Sequence, residues 1–229
     1  MRYAAPYVLG DYVLATVNVI CKNVNFEQYE ASFTELVEKV YPERKKAVLR
    51  LKNKKAAIMS LATGLLLQDI VEKECGISAN ELKISTNNNG KPYIVGQPDF
   101  YFNISHSNSM LVMAYGGCEL GVDVEKLKEN DITVAKRCFT KEEYEYIIGD
   151  ISLDYHTKPE HRFCKIWTMK EAYLKYKGTG ISVPLNSFTV NPIEGKVSGE
   201  EVSIVSKIMD EYMLSICTSS QEEVQIKFS

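Results

Sequence analysis

The chain has 229 residues, 45% of them hydrophobic, with a formal charge of −3 and a pI near 5.8, which allows a sizeable core in one large domain or two small ones. This balance argues against a protein whose overall charge drives nucleic-acid binding, and no apolar run reaches the ~18 residues of a membrane span. Asp11 and Asn18 interrupt the first apolar segment, which has no signal-peptide cleavage pattern, and the six cysteines (21, 75, 118, 138, 164 and 217) form no C-x-x-C pair, so a cytoplasmic protein with reduced thiols is expected.

In chain order, residues 12–20 read as a strand and residues 26–40 and 43–74 as helices. The second helix opens on Arg44-Lys45-Lys46 and continues through Arg50, Lys52, Lys54 and Lys55. A solvated face is the usual meaning of such a run. A nucleic-acid surface is the rival, against which stand the net charge and the absence of aromatics among the cations. After a strand at 81–85, Asn87-Asn88-Asn89-Gly90-Lys91-Pro92-Tyr93 forms a tight turn. Pro92 restrains Lys91 to an extended backbone, so its ammonium stands on a stiff platform. The strand at 101–104 leads into Ser105-His106-Ser107-Asn108-Ser109, read as a loop whose hydroxyls, imidazole and backbone N–H groups suit phosphate oxygens. A hydrolase pair of Ser105 and His106 is the weaker reading, because neighbours on a strand face opposite ways and no G-x-S-x-G elbow surrounds the serine.

The apolar run from Met110 to Tyr115, the Gly116-Gly117 turn and the alternating residues 119–125 read as a hairpin. Asp123 and Glu125 then project from one strand face about 6–7 Å apart, close enough to share a hard cation with a third ligand. A solvated edge-strand face is the alternative. A helix at 141–148 and a polar loop at 149–160 precede the segment around the single tryptophan. Phe163, Ile166, Trp167 and Leu174 form a core-facing stripe there, and Glu171 and Lys175 lie four apart beside it. Taken alone, that pair is a surface salt bridge worth a few tenths of a kcal/mol; beside the D-x-E strand, Glu171 becomes the natural third cation ligand. Strands at 187–190, 202–208, 212–217 and 224–228 complete an α+β second half.

Four segments in this order resemble the phosphopantetheinyl transferase superfamily, in detail its Sfp-type branch. They are Gly90-Lys91-Pro92, Asn103-Ile104-Ser105-His106-Ser107, Gly121-Val122-Asp123-Val124-Glu125, and the helix from Trp167 through Lys170-Glu171-Ala172 to Lys175. Phe139-Thr140-Lys141-Glu142-Glu143 is similar to a connecting segment of the family, so the likeness runs from about residue 41 to about residue 188.

The resemblance implies transfer of the 4′-phosphopantetheine arm of coenzyme A to a serine of an apo carrier protein of fatty acid, polyketide or nonribosomal peptide synthesis, releasing adenosine 3′,5′-bisphosphate. It implies a monomer acting on coenzyme A and carrier, with neither nucleic acid nor membrane as partner. By similarity Asp123, Glu125 and Glu171 hold Mg²⁺, with Mn²⁺ as a substitute; Glu171 is the candidate general base and Lys175 neutralises the diphosphate. Arg44, Lys46, Ser60, Lys91, Ser105, His106 and Lys175 would contact coenzyme A, with Lys45 an alternative to Lys46 because Ala47 stands where the family has its second lysine. The implied fold is two similar α+β halves related by a pseudo-twofold axis, with the site in the cleft between them. Residues 1–116 would supply nucleotide contacts, and residues 117–229 the metal site, catalytic helix and carrier docking. The docking surface is expected over residues 126–144, with Lys126, Lys128, Lys136, Arg137 and Lys141 beside apolar Leu127, Ile132, Val134 and Phe139; a solvated loop and helix that cover the core, with Phe139 buried, is the alternative. A non-catalytic coenzyme A or nucleotide-binding module is the alternative function.

Overall fold

The computed structural model of the chain describes residues 14–127, 132–149, 158–180, 183–220 and 223–228. Strand β1 (Leu14–Asn23) is followed by α1 (Phe26–Ala31), α2 (Phe33–Lys39), α3 (Pro42–Arg50) and α4 (Lys54–Cys75). The expected helices at 26–40 and 43–74 are thus each broken once. Leu51 is extended, and Asn53 starts α4 by accepting a hydrogen bond from the Ala56 N–H at 3.0 Å, so a strong N-cap outcompetes continuation of the basic helix. The short strands β2 (Ile84–Thr86) and β3 (Pro92–Ile94) flank the glycine-lysine-proline turn.

Strands β4 (Tyr101–Ser107) and β5 (Met110–Gly116) form the actual hairpin. Its tight turn needs Asn108 at φ +52°, a left-handed conformation that asparagine tolerates. The segment 105–107 expected as a loop therefore belongs to a strand. Strand β6 (Leu120–Lys126) does not pair with β5, contrary to the expected hairpin; it joins a second sheet. The chain leaves the first sheet at Gly116, where a Cβ would lie 2.3 Å from the Thr16 carbonyl oxygen. Leu120, Val122 and Val124 can then bury against the back of β5 instead of pairing beside it.

Helices α5 (Ile132–Cys138), α6 (Lys141–Ile148) and α7 (Pro159–Lys177) precede β7 (Val190–Asn191), β8 (Lys196–Val197), β9 (Val202–Met209), β10 (Tyr212–Ser219) and β11 (Glu223–Phe228). The first sheet has the order β11-β1-β5-β4 and the second β6-β10-β9, with β11 parallel to β1. Alternation sorts the residues into a helix–sheet–sheet–helix stack. Leu111, Met113 and Tyr115 of β5 pack on α4, whereas Met110, Val112 and Ala114 meet Val122, Val124, Leu214 and Ile216 of the second sheet. Because both faces of β5 are covered, it reads as one continuous apolar run. Helix α7 closes the far side against Ile204 and Cys217. Lys128 and residues 150–157 of the expected polar loop lie outside the described residues, as do Asp11 and the first two residues of the expected first strand. Among the described residues no helix is long and apolar enough to cross a membrane.

Candidate functional site

Helix α7 sets the geometry of the site. Phe163 and Trp167 stack at 6.0 Å between ring centroids, and Phe139 stands 5.2 Å from Phe163. Lys170, on another side of the helix, is fully buried; it donates to the Glu143 carboxylate at 2.7 Å and to the carbonyls of Leu185 and Phe188 at 2.7 and 2.5 Å. Burial pulls the Lys170 pKa down, and the Glu143 carboxylate opposes that pull. On the side facing β6, Gly121 lets the two backbones touch: a Cβ there would lie 2.1 Å from the Ala172 oxygen and 2.3 Å from the Tyr176 nitrogen. Gly121→Ala should therefore cost about 1–3 kcal/mol in urea unfolding, as an overpacked core does; an unmoved midpoint would mean that the helix can simply ride off the strand.

This close approach brings Lys175 to Asp123. Asp123 is 4% exposed, and its Oδ1 accepts from Lys175 Nζ at 2.6 Å and from Ser105 Oγ at 2.8 Å. Its Oδ2 is buried without a hydrogen-bond partner. A buried carboxylate oxygen left unpaired costs of order 1–3 kcal/mol or more, and a bound cation is one way to satisfy it. Glu125 lies two residues along the same face, its Oε2 accepting from Ser107 Oγ at 2.8 Å. Glu171, one turn before Lys175, has its carboxyl pKa raised, first by burial and then by the Asp123 charge, with Lys175 lowering it and Glu125 raising it further. Glu171 thus senses the other two carboxylates, although among the described residues no three His, Cys, Asp or Glu side chains converge closely enough to grip an ion. Chemically the cluster offers a hard, oxygen-rich acceptor set, a proton-hungry glutamate and one ammonium, which together suit a polyanionic ester undergoing proton-coupled displacement.

Strand β4 serves this cluster and the opposite face of the first sheet at once. Ser105 uses its one O–H on Asp123 and accepts from the Val124 N–H at 3.3 Å and from Lys175 Nζ at 3.0 Å, which fills its bonding capacity. His106 points the other way, exposed, on the side where α4 packs. On that side Arg44 and Ser60 come together, Nη1 to Oγ at 3.4 Å, while Arg44 Nε donates to the Tyr41 hydroxyl at 3.0 Å. Gly64 makes room for the arginine stem, since a Cβ there would lie 2.4 Å from Arg44 Cγ. Lys46 is exposed two residues further along α3, away from that contact, and Lys45 pairs with Glu38. Lys91 is engaged by the protein itself: its ammonium pairs with Glu119 and donates to the Leu120 and Tyr176 carbonyls, each at 3.0 Å. It ties the turn to the start of β6 and the end of α7, beside a cavity of about 240 Å³ lined in part by Asn87, Tyr93, Gln97 and Phe100.

In the expected docking segment Phe139 is buried, Lys126 and Lys141 pair with Glu211 and Glu145, and Lys136 and Arg137 are exposed. Sequence reasoning missed Asn103 and Ser107 as working residues, and it gave no role to the buried Lys170. The signal for the first two was their alternation with Ser105, which on a strand puts all three on one face.

Residues 119–224 match the family model described as 4′-phosphopantetheinyl transferase superfamily, and residues 25–116 match one described as 4′-phosphopantetheinyl transferase, N-terminal. Over 165 residues the chain is 33% identical to 4′-phosphopantetheinyl transferase Sfp of Bacillus subtilis (strain 168), covering 70% of each chain. A 4′-phosphopantetheinyl transferase of Bacillus subtilis is 32% identical over 188 residues, 79% of this chain and 82% of that one. The psf-1 transferase of Bacillus pumilus is 29% identical over 195 residues, 80% and 82% of the two chains.

Proposed function

The chain belongs to the 4′-phosphopantetheinyl transferase superfamily, and from that premise we propose that it moves the 4′-phosphopantetheine arm of coenzyme A onto a serine hydroxyl of an apo carrier protein. The single observation that best supports this reading is the Asp123–Lys175–Glu171 constellation with its orphaned Asp123 Oδ2. The serine oxygen forms a bond to phosphorus, the phosphorus–oxygen bond of the diphosphate breaks, and adenosine 3′,5′-bisphosphate leaves with that oxygen. Glu171 takes the serine proton, directly or through water, and its raised affinity for protons fits that role. Lys175 stabilises charge growing on the phosphoryl oxygens and the leaving phosphate. Mg²⁺, for which Mn²⁺ could substitute, would be held by Asp123, Glu125 and Glu171 and would supply a hard Lewis acid to the diphosphate. A non-catalytic coenzyme A-binding module is not favoured, because binding alone needs no proton acceptor beside the ammonium. The direct test is to incubate the protein with coenzyme A, Mg²⁺ and an apo carrier, and to read the carrier's intact mass; an unmodified carrier across fatty acid, polyketide and peptide classes would reject the reading.

Arg44, Ser60 and His106 share one side of the first sheet and are proposed to hold the nucleotide end of coenzyme A, with Arg44 on the 3′-phosphate. Arg44→Ala should raise KM for coenzyme A roughly 10- to 100-fold, from the ~1.5–3 kcal/mol of a charged hydrogen bond, with less change in kcat. With 3′-dephospho-coenzyme A the variant and the wild type should converge, and persistence of the full difference would remove Arg44 from that phosphate. Lys91 and Ser105 are better described as holding α7 and Asp123 in place than as donors to the substrate.

The exposed Lys136 and Arg137 are proposed to steer an acidic carrier toward the site. Charge reversal of both should raise the carrier KM, more at low ionic strength than at high. A KM insensitive to the reversal in low salt would move docking elsewhere.

A further inference from the structure

We propose that Ser107 is a positioning residue for the Glu125 carboxylate, aiming it for cation binding through a side-chain stitch between the two sheets; this rests on the reading of Asp123, Glu125 and Glu171 as the metal-holding set. Strands β4 and β6 are edge strands of different sheets, and an edge leaves N–H groups without ladder partners. Three of those on β6 are satisfied by alternate side chains of β4. The Val122 N–H donates to Asn103 Oδ1 at 3.1 Å, the Val124 N–H to Ser105 Oγ at 3.3 Å and the Lys126 N–H to Ser107 Oγ at 3.1 Å. The shared period of two keeps the stitches in register along both strands.

Each serine then turns its only O–H onto the carboxylate one residue before the amide it caps, Ser105 onto Asp123 and Ser107 onto Glu125, both at 2.8 Å. The amide fixes the oxygen, so the hydroxyl has one direction left to donate. Ser107 is itself rigidly placed, since it pairs with Met110 at the mouth of the hairpin and the Ser109 carbonyl accepts from the Val24 N–H at 2.8 Å. Glu125 has a longer side chain than Asp123 and is only partly buried, so it has more rotamer freedom to lose when it binds an ion. Ser107 removes part of that freedom beforehand. Partners that orient ligating groups typically account for about 10- to 100-fold in metal affinity.

The experiment is a Mn²⁺ titration followed by electron paramagnetic resonance, at saturating coenzyme A without carrier, on the wild type, Ser107→Ala, Ser107→Thr and Glu125→Gln, with a urea midpoint for each. Ser107→Ala should weaken Mn²⁺ binding about 10-fold, Ser107→Thr should restore most of it by keeping the hydroxyl, and coenzyme A affinity in metal-free buffer should be unchanged. Glu125→Gln should lose at least as much as Ser107→Ala. If Glu125→Gln is impaired while Ser107→Ala binds like the wild type, positioning by Ser107 is wrong and the metal reading stands. If neither variant is impaired, the metal reading itself fails. Equal losses in Ser107→Ala and Ser107→Thr, in step with their urea midpoints, would reduce Ser107 to a structural stitch and also overturn the inference.

Discussion

Glu171→Gln should abolish transfer and, at the same time, raise the melting temperature of the metal-free protein at neutral pH. Loss of a general base costs roughly 10²- to 10⁴-fold in rate, and Asp123→Ala, which removes the partner of Lys175, should be at least as severe. The gain in stability follows from the surroundings of Glu171. Burial first, then the charges of Asp123 and Glu125, outweigh Lys175 and raise its pKa, so the folded protein holds that proton more tightly than the unfolded chain does. Such a group contributes full stability below the ordinary glutamate pKa of about 4.3 and loses it as pH rises through the raised folded value. At neutral pH a glutamate here therefore costs the fold stability that a neutral amide does not. Melting in chelator from pH 4 to 8 tests the sign: the advantage of Glu171→Gln should grow with pH and close at the acid end. A variant less stable than the wild type at pH 7 would contradict the picture of a half-buried Glu171 repelled by Asp123 and Glu125.

The second large effect is expected away from the chemistry. Lys170 and Glu143 have fully buried side chains, and Glu143 also accepts from the Val190 N–H at 2.7 Å and the Thr140 N–H at 2.9 Å. The pair joins α6, α7 and the chain leading into β7, with the Lys170 ammonium 4.1 Å from the centroid of the Phe188 ring. Lys170→Met strands a buried carboxylate and should cost about 3–5 kcal/mol in urea unfolding. Adding Glu143→Gln keeps an acceptor for Val190 without the charge, so the double variant should recover a large part of the loss. Additive costs in this cycle would mean that the two groups are not coupled. Although Lys170 and Glu171 are adjacent in sequence, one anchors the helix and the other feels the charges of Asp123, Lys175 and Glu125.

That division shows what the sequence could and could not disclose. The stripe of Phe163, Ile166 and Trp167 and the alternation of Asp123 and Glu125 are local periodicities, and a period survives folding unchanged. The glutamate and lysine four apart on α7 were legible for the same reason. Which strand pairs with which is not periodic information: β6 has the letters of a hairpin partner for β5 and instead pairs with β10, some ninety residues on. Ser105 looked like a phosphate donor because a hydroxyl in a loop is available, whereas on β4 its capacity is used by Asp123, Val124 and Lys175. Lys91 looked presented to solvent for the same reason, yet two carbonyls and Glu119 claim it. Only the tertiary pairing decides which polar atoms are left for a ligand. The break at Asn53 is legible in the letters, since an asparagine ahead of a helical run is a start signal even inside a basic stretch.

The parallel pairing of β11 with β1 joins Leu14 to Glu223. In a chain emerging from the ribosome, β1 is made early and waits for most of synthesis before this neighbour exists. Until then the growing first sheet has an uncovered flank at β1, a ready template for another nascent chain. Contacts of such long sequence separation also form slowly. The strand clasp thus makes the maturation of the two halves a single event: cutting the polypeptide near Gly116 would not release two independent folding units, but a sheet lacking its outer strand and a strand lacking its sheet.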